Sequence, residues 1–267
     1  MTNKLLFILI FSGSFLSVTA QDNHKVRLAK SVYKGNDFSE IREYSYDSNG
    51  RIKKMVLSQN GKIHLTSTGF VFNQDGLLTS YLNTYNLNIS PQKISISYDA
   101  QKRISSFEVS KTQQHTIVKA GVFYYHGDTV KFVHPQNLMQ PVIYIFNSDS
   151  NIVQKKGLGG PGVAFTNRYP KYDNSKNPLL LLGGYMDIDK MPLSLHNSLE
   201  DDYVDIYTIN RKIEYQQVLV SQYKPGGAKI PAQYKNGLPV KATETSFDKA
   251  YNKVMPVATI TYQYITL

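Results

Sequence analysis

Three copies of one pattern fill residues 41–109, and the first reads Tyr44-Ser45-Tyr46-Asp47-Ser48-Asn49-Gly50-Arg51-Ile52. The second copy reads Phe70-Val71-Phe72-Asn73-Gln74-Asp75-Gly76-Leu77-Leu78, and the third reads Ile96-Ser97-Tyr98-Asp99-Ala100-Gln101-Lys102-Arg103-Ile104. The third position of each copy is aromatic, and Tyr46, Phe72 and Tyr98 follow one another at intervals of 26 residues. A repeat of this kind predicts that one structural unit is used several times.

Each copy is predicted to be a β-hairpin. Apolar residues at the first and third positions share one face of a strand. An Asp or Asn followed three positions later by Gly is typical of a type I turn, whose first side chain caps the backbone ahead of it. The Gly then adopts the left-handed conformation that lets the chain reverse. Lys102 replaces this Gly in the third copy, so strain of about 1–2 kcal/mol is expected there.

The spacing of the large apolar residues changes from an even to an odd number of positions after each turn. Large apolar residues stand six and nine positions after the aromatic residue, as Ile52 and Met55 do in the first copy. The corresponding residues are Leu78 and Tyr81, then Ile104 and Phe107. An uninterrupted strand would place the two positions on opposite faces. Either both faces are covered, or a β-bulge separates the two positions.

Residues 1–20 have the features of a secretory signal peptide. Lys4 is their one charged residue, an apolar run occupies 5–16, and Val18-Thr19-Ala20 fits the small-residue cleavage rule. We therefore expect a mature chain that begins at Gln21 and is exported to the periplasm or the cell exterior. A retained membrane anchor is the less favoured alternative, because the run is shorter than the ~20 residues of a membrane span. No later segment is long enough, so the mature chain is not expected to span a membrane.

The composition favours a β protein without a nucleic-acid partner. There are 20 Tyr and 12 Phe, no Trp and no Cys, so disulfides and thiolate chemistry are excluded. The net charge of +10 is spread along the chain, whereas a nucleic-acid surface usually gathers its basic residues on one face or tail. We interpret the charge as that of a solvated surface.

The predicted fold is mostly β: an extended antiparallel meander sheet of repeated β-hairpins, with an irregular segment near 158–203. After the signal peptide (1–20), residues 21–267 are expected to form a single elongated domain. It comprises a repeat part at about 41–157, an irregular insert at 158–203 and C-terminal strands at 204–267. Further hairpins are predicted with turns at 126–128, at 147–151 and at Asn236-Gly237, the last being the strongest short-range hairpin signal.

Three segments outside the repeats carry specific expectations. The glycine-rich residues 157–162 lack the Lys-Ser/Thr of a phosphate-binding loop and are predicted to be a flexible connection. Asn177-Pro178 favours a turn before the apolar residues 179–182, a short buried run or one modest helix, and 194–205 could hold another helical turn. Residues 257–267 are too apolar for a free end, so we predict a strand beside 238–245 that starts at Pro256.

The chain resembles a family of exported bacterial proteins of unknown function, common in Bacteroidetes and built from repeats like the YD repeats of Rhs-type proteins. The resemblance rests on the three hairpins, on Tyr172-Asp173 with Asn177-Pro178, on Tyr234-Lys235-Asn236-Gly237-Leu238-Pro239, and on Ile260-Thr261-Tyr262-Gln263-Tyr264. It implies an extended antiparallel sheet and a periplasmic or surface location. It brings no catalytic residues, and Lys102 departs from the repeat motif.

No group of residues gives a pattern of catalytic, cofactor or metal chemistry, and no site residue of these kinds is predicted. The six His residues, which are His24, His64, His115, His126, His134 and His196, show no metal-ligand spacing. His126 with Asp128 is interpreted as a surface pair, and Glu200-Asp201-Asp202 with Asp205 as a solvated loop, because its spacing is not that of a calcium loop. A Gly-x-Ser-x-Gly motif is absent, which leaves a lipase-like triad without its nucleophile.

Two functional hypotheses follow from the sequence. The first is a non-enzymatic binding or scaffolding protein of the bacterial envelope or surface, without a cofactor, whose partner is an unknown protein or glycan. The second is a secreted glycan-acting hydrolase or carbohydrate-binding protein, since paired carboxylates can meet only in the fold and Tyr rings can stack on sugars.

Overall fold

The structure, a computed structural model, describes residues 26–87, 89–134, 141–160, 163–182, 193–207, 217–225, 238–248 and 253–267. These residues form sixteen β-strands and one 3₁₀ helix, Pro178–Leu181. The first eight strands are β1 Val26–Gly35, β2 Ser39–Tyr46, β3 Ile52–Gln59, β4 Lys62–Phe72, β5 Leu78–Tyr85, β6 Gln92–Tyr98, β7 Ile104–Lys111 and β8 Ile117–His126. The others are β9 Thr129–Val133, β10 Val142–Phe146, β11 Ile152–Gly160, β12 Val163–Lys176, β13 His196–Tyr207, β14 Gln217–Pro225, β15 Pro239–Asp248 and β16 Lys253–Thr266.

The strands form one antiparallel meander that closes on itself. Each strand pairs with its neighbours in sequence, and β1 pairs with β16, so the described strands make a closed barrel. The closing ladder runs from Val26 opposite Thr266 to Gly35 opposite Ala258. The predicted β class and meander of hairpins are confirmed, and closure adds that neither terminal strand is left as an exposed edge.

Four turns share the geometry predicted for the repeat. In the first, the Asp47 N–H donates to the Arg51 carbonyl at 2.8 Å, and Asp47 Oδ1 accepts from the Arg51 N–H at 2.9 Å. The turns that begin at Asn73, Asp99 and Asn147 repeat both bonds. The fourth position is left-handed in every case, with φ of 73° at Gly50, 76° at Gly76, 62° at Lys102 and 59° at Ser150. The left-handed Lys102 is therefore confirmed, and Ser150 adopts the same unfavourable conformation.

A β-bulge follows each of the three repeat turns, which decides between the two explanations of the parity change. Tyr46 lies opposite Ile52 while Ser45 lies opposite Lys54, so Lys53 has no partner across the ladder. The same register shift follows the second and third turns, at Thr79 and Ser105. Because the bulge restores parity, Ile52 and Met55 both point into the core, each only 2% exposed.

Tyrosine hydroxyls connect successive hairpins through the interior. The Tyr98 hydroxyl donates to the Leu78 carbonyl and the Tyr125 hydroxyl to the Ile104 carbonyl, both at 2.8 Å. Similar bonds join Tyr46 to Leu28, Tyr172 to Ile152 and Tyr264 to Pro239. We call these five bonds the tyrosine ties. The second repeat has Phe72 at the equivalent position and therefore has no hydroxyl to make one.

The closed sheet has two ends of different character. The four repeat turns and the 126–129 turn lie at one end, which we call the turn end. The connections at 35–38, 60–61, 86–91 and 112–116 lie at the other end, which we call the rim. The apolar core extends from the turn end, where Leu28, Ile52 and Leu78 are 2% exposed or less.

The 3₁₀ helix contributes to this core at the turn end. Asn177 caps it by accepting the Leu179 N–H at 3.1 Å, and Leu181 and Leu182 are 5% and 2% exposed. The helix packs on β1, although in sequence it follows β12. The predicted turn at Asn177-Pro178 and the buried, helical character of 179–182 are thus confirmed.

The described residues between 158 and 203 are more regular than predicted. They include the end of β11, all of β12 and the start of β13, and the helical turn expected at 194–205 is wrong because most of that segment is strand β13. The irregularity appears as three register shifts between β12 and β13, around Lys171, Tyr172 and Lys176. Residues 157–160 are likewise strand rather than a flexible connection. Gly157 makes room there for the Phe165 ring, which would lie 3.2 Å from an added Cβ.

The C-terminal tail is a paired strand, as predicted. It lies between β15 and β1, with Ala242 opposite Ile260 on one side and Tyr33 opposite Ile260 on the other. The start at Pro256 is wrong: β16 begins at Lys253, and Pro256 lies next to a register shift where the missing N–H is tolerated. The predicted Asn236-Gly237 turn and the signal peptide lie outside the described residues.

Candidate functional site

Residues of β2 to β8 line a concave, partly open pocket on the interior face of the sheet, towards the rim. Its volume is about 500 Å³. Buried apolar side chains, among them Met55, Tyr81 and Ile94, form its floor. The polar and charged lining residues are Glu40, Arg42, Gln59, His64, Asn83, Tyr85, Gln92 and Lys119.

The repeat positions the pocket. Counting from the aromatic residue, the interior positions after each bulge are nine, eleven and thirteen, because residues then alternate in a strand. In the first repeat these are Met55, Leu57 and Gln59, and in the second they are Tyr81, Asn83 and Tyr85, all of which line the pocket. The interior therefore changes from apolar to polar as each strand runs from the turn end to the rim.

An ion pair forms one wall of the pocket. Arg42 Nε lies 2.7 Å from Glu40 Oε1, and their side chains are 13% and 20% exposed. Gln59 Nε2 donates to the second Glu40 oxygen at 3.4 Å. Because both carboxylate oxygens accept hydrogen bonds and the pair is sheltered from water, the Glu40 side chain is held in a fixed position.

Amide and aromatic groups form the opposite wall. The Tyr85 hydroxyl donates to Gln92 Oε1 at 3.5 Å, and the His64 ring meets the Tyr85 ring edge to face at 6.1 Å between centroids. Asn83 Oδ1 accepts from the Ser67 hydroxyl at 2.6 Å, which leaves the Asn83 amide nitrogen as the donor of that side chain. The wall thus presents donors, acceptors and ring surface close together.

Burial changes the acid–base behaviour of the tie tyrosines, which lie at the turn end and not in the pocket. Desolvation raises the pKa of Tyr98 and Tyr125 to about 12, and it raises the pKa of Tyr46 and Tyr264 further. At the turn end, partial burial works against ionisation of Asp99, yet hydrogen bonds from Arg103 and its charge lower the pKa of that carboxyl. These shifts belong to groups that hold the fold together, and none of them places a proton-transfer group in the pocket.

The residues considered from sequence do not form the site. His126 and Asp128 are both exposed at the turn end, where Asp128 accepts from the Thr129 hydroxyl at 2.9 Å. Glu200, Asp201, Asp202 and Asp205 all belong to β13 and not to a solvated loop. Within the part of the chain that the structure describes, no three His, Asp or Glu side chains gather as a metal site would require.

A second polar cluster lies at the turn end and holds the fourth repeat in place. Asn151, 3% exposed, accepts from the His196 N–H at 2.9 Å, and its amide lies 3.0 Å from His196 Nδ1. Asn197 donates to both carboxylate oxygens of Asp173 at 3.1 and 3.2 Å. These buried groups satisfy one another, so we interpret the cluster as structural.

Sequence reasoning did not find the pocket, although a signal for it is present. Large apolar residues at the sixth and ninth positions after each aromatic residue do not by themselves indicate a cavity. Continuing the alternation gives Gln59, Asn83 and Tyr85 as interior residues, and polar residues at interior positions near a strand end indicate an open, hydrated cavity. Glu40 and Gln92, six positions before Tyr46 and Tyr98, complete the same pattern.

The solved structures that match this chain include two porin-like proteins and a toxin pore. No family model and no curated protein matches the chain. A porin-like protein from Bacteroides uniformis has 10% identity and a TM-score of 0.45, over 89% of this chain and 96% of that one. A porin-like protein from Bacteroides vulgatus has 12% identity and a TM-score of 0.44, over 91% and 100%.

The third neighbour is the Tc holotoxin pore of Photorhabdus luminescens. Its identity is 11% and its TM-score is 0.32, over 81% of this chain but 11% of that much longer one. Such low identities transfer neither a site nor a function to this chain. Within the described residues, no helix is long and apolar enough to cross a membrane.

Proposed function

We propose that this chain is a non-enzymatic binding protein of the bacterial envelope, exported by its N-terminal signal, and that its concave pocket binds a polar, uncharged ligand such as a glycan. The observation that carries the proposal is the composition of the pocket wall. Gln59, Asn83 and Gln92 supply amide groups beside the Glu40–Arg42 pair, and Tyr85 and His64 supply ring surface.

This combination matches the chemistry of a sugar. Each sugar hydroxyl is both donor and acceptor, and amide side chains are the neutral groups that offer both. Aromatic rings pack on the apolar face of a sugar ring while their polar edges remain hydrated. A pocket of about 500 Å³ falls within the roughly 300–1,000 Å³ range of small-ligand sites.

The arrangement supports binding over hydrolysis. Glycosidases use two carboxyl groups about 5 to 9.5 Å apart, one of which must be protonated or nucleophilic. Among the described lining residues the acidic side chain is Glu40, and its two oxygens are engaged by Arg42 and Gln59. A second carboxylate in reach of Glu40 is not present among those residues.

Calorimetric titration of residues 21–267 with a panel of neutral and acidic oligosaccharides tests the proposal. We expect saturable binding of a neutral glycan that is weakened at least tenfold by Gln92→Ala in the pocket wall. Gln101→Ala, an exposed glutamine in the third repeat turn, is the matched control and should bind as the unchanged protein does. Equal loss in both variants, or no binding by any oligosaccharide, would refute a glycan pocket.

Two further measurements separate the parts of the proposal. Chromatography of the incubated glycan should show no cleavage products, and released products would instead support the hydrolase. Mass spectrometry of the exported protein should show a chain that begins at Gln21. A full-length chain retained in the membrane fraction would contradict the export route.

A further inference from the structure

We infer that the rim is a docking surface for an anionic lipid bilayer. The carrying observation is a band of exposed apolar side chains along the described rim connections, from 35–38 to 112–116. Among the described residues, six of the eleven exposed large hydrophobic ones lie in the rim connections or within two residues of them: Phe38, Ile63, Leu87, Ile89, Ile117 and Val118. Leu87 is 59% exposed and Ile63 is 51% exposed.

The turn end provides the internal comparison. By the same measure the turn end has fewer exposed large hydrophobic residues: Val71 and Tyr124 lie within two residues of its turns, and Ile265 and Leu267 lie at the end of β16. The five described turns themselves contain polar residues and glycine, and Leu77, their one large aliphatic residue, is only 7% exposed. The rim connections themselves therefore expose apolar groups, as at Phe38, Leu87 and Ile89, whereas the turns of the turn end do not. The largest contiguous apolar surface of a water-exposed protein commonly marks an interaction site.

The rim is held as a preformed surface. Backbone hydrogen bonds join each connection to the next: Asn60 to Ser39 at 2.9 Å, Asn86 to His64 at 3.0 Å and Thr112 to Pro91 at 3.0 Å. The Ser39 N–H also donates to Asn60 Oδ1 at 2.7 Å. The apolar side chains therefore project from a continuous band of linked turns, so little ordering is needed when they dock.

The lysines of the rim favour an anionic surface as the partner that docks there. Lys34, Lys62, Lys93 and Lys111 lie in the rim connections or within two residues of them, and no ion pair joins these four to a described carboxylate. The acidic residues of the same segments are Asp37 and Glu40, and Glu40 is already paired with Arg42. At the turn end, by contrast, Asp47, Asp75 and Asp99 each pair with a neighbouring cation.

Apolar side chains flanked by unpaired lysines are the combination that binds the interface of an anionic bilayer. The apolar groups enter the boundary between headgroups and acyl chains, while the ammonium groups approach the phosphates. A protein partner with an apolar patch or a second copy of this chain would use the apolar groups but would not require the excess of lysine. This docking does not depend on what the pocket binds.

Flotation of residues 21–267 with lipid vesicles tests the inference. We expect the protein to float with vesicles of phosphatidylglycerol and phosphatidylcholine, and not with phosphatidylcholine alone. Leu87→Asp with Ile89→Asp should lower the bound fraction at least tenfold. Val71→Asp is the matched control, because Val71 is 52% exposed on strand β4 towards the turn end and should float like the unchanged protein.

Charge reversal gives a second, independent readout. Lys62→Glu should weaken binding to the anionic vesicles by more than about fivefold, since one lysine near such a surface contributes about that factor. Absence of flotation, or equal loss in Val71→Asp, would overturn the inference. Concentration-dependent dimerisation that Leu87→Asp with Ile89→Asp abolishes, without vesicle binding, would assign the rim to a second copy instead. Circular dichroism of each variant confirms that these exposed substitutions leave the fold intact.

Discussion

One added oxygen atom, the hydroxyl of a Phe72→Tyr substitution, can supply the tyrosine tie that the second repeat lacks. Tyr98 and Tyr172 each reach the carbonyl of the residue 20 positions earlier. The residue 20 positions before Phe72 is Ile52, which occupies the same place after its turn as Leu78 does. Phe72→Tyr should therefore place a hydroxyl against the Ile52 carbonyl and create the equivalent bond.

The expected gain follows from the neutral character of the bond. A hydrogen bond between neutral groups contributes about 0.5–1.5 kcal/mol net, and the remainder of the ring is unchanged. Arg51 already lies 5.2 Å from the Phe72 ring centre, and Arg103 lies 4.1 Å from the Tyr125 ring centre in the equivalent pair. The added hydroxyl therefore enters an environment that a tie tyrosine occupies in a later repeat.

Urea unfolding followed by circular dichroism measures both directions of this change. Phe72→Tyr should raise the free energy of unfolding by about 1 kcal/mol, and Tyr98→Phe should lower it by a similar amount. In a chain of this length 1 kcal/mol corresponds to a shift in Tm of about 2–4 °C. Tyr124→Phe is the control: this ring is 56% exposed, so a change within about 0.5 kcal/mol is expected. The tie interpretation fails if Tyr98→Phe changes the free energy of unfolding as little as Tyr124→Phe does, or if Phe72→Tyr lowers it.

Three other predictions concern the turns, the ties in alkali and the closing strand. Lys102→Gly should be neutral or should raise the free energy of chemical unfolding by up to ~1 kcal/mol, because relief of left-handed strain outweighs loss of the exposed ion pair to Asp75 at 2.9 Å. Asp75→Asn measures the contribution of the ion pair alone. A clear fall in Tm for Lys102→Gly would contradict the strain. The free energy of unfolding should be unaffected by these tyrosines below pH 10 and should fall between pH 10 and about 12, since the unfolded chain ionises its tyrosines while burial keeps Tyr98 and Tyr125 protonated. Each contributes about 1.4 kcal/mol per pH unit. Ionisation of Tyr98 and Tyr125 before unfolding, measured as the loss of tyrosinate absorbance in Tyr98→Phe and Tyr125→Phe relative to the unchanged protein, would disprove this. Deleting 258–267 should make the protein insoluble or protease-sensitive, because β16 closes the sheet between β15 and β1. Single substitutions at Glu200 or Asp205 are the controls and should have neither effect. A soluble truncated chain with an unchanged melting transition would show that the fold does not need the tail.

Features that depend on neighbouring residues could be predicted from the sequence. The Asp or Asn that begins each turn and the residue that closes it are at most four positions apart, so their chemistry decides the turn without help from the fold. The bulges are equally local, because the parity of Ile52 and Met55 leaves few other arrangements. Even the strained Lys102 followed from its place in the repeat and was confirmed by its φ of 62°.

Features that join distant segments could not be predicted in the same way. Val26 and Thr266 meet across the closing ladder although they lie near opposite ends of the chain, and no local pattern distinguishes a closed sheet from an extended one. The glycines at 157–160 suggested a connection, yet Gly157 faces Phe165, whose ring decides what the position can hold. The pocket likewise combines residues of seven strands, so its members became neighbours only in the fold.

The repeat explains why the two ends of the molecule differ. At the turn end, successive copies must align their turns, and the aromatic residue, the bulge and the tie all lie within a few residues of that point. Their side chains are therefore required to be apolar and to fill the interior. Towards the rim none of these constraints acts, and the interior positions become Gln59, Tyr85 and Gln92. The same geometry that closes one end of the sheet thus leaves the other end free to carry a polar pocket, and places both the proposed ligand site and the proposed lipid surface where the repeat constrains the sequence least.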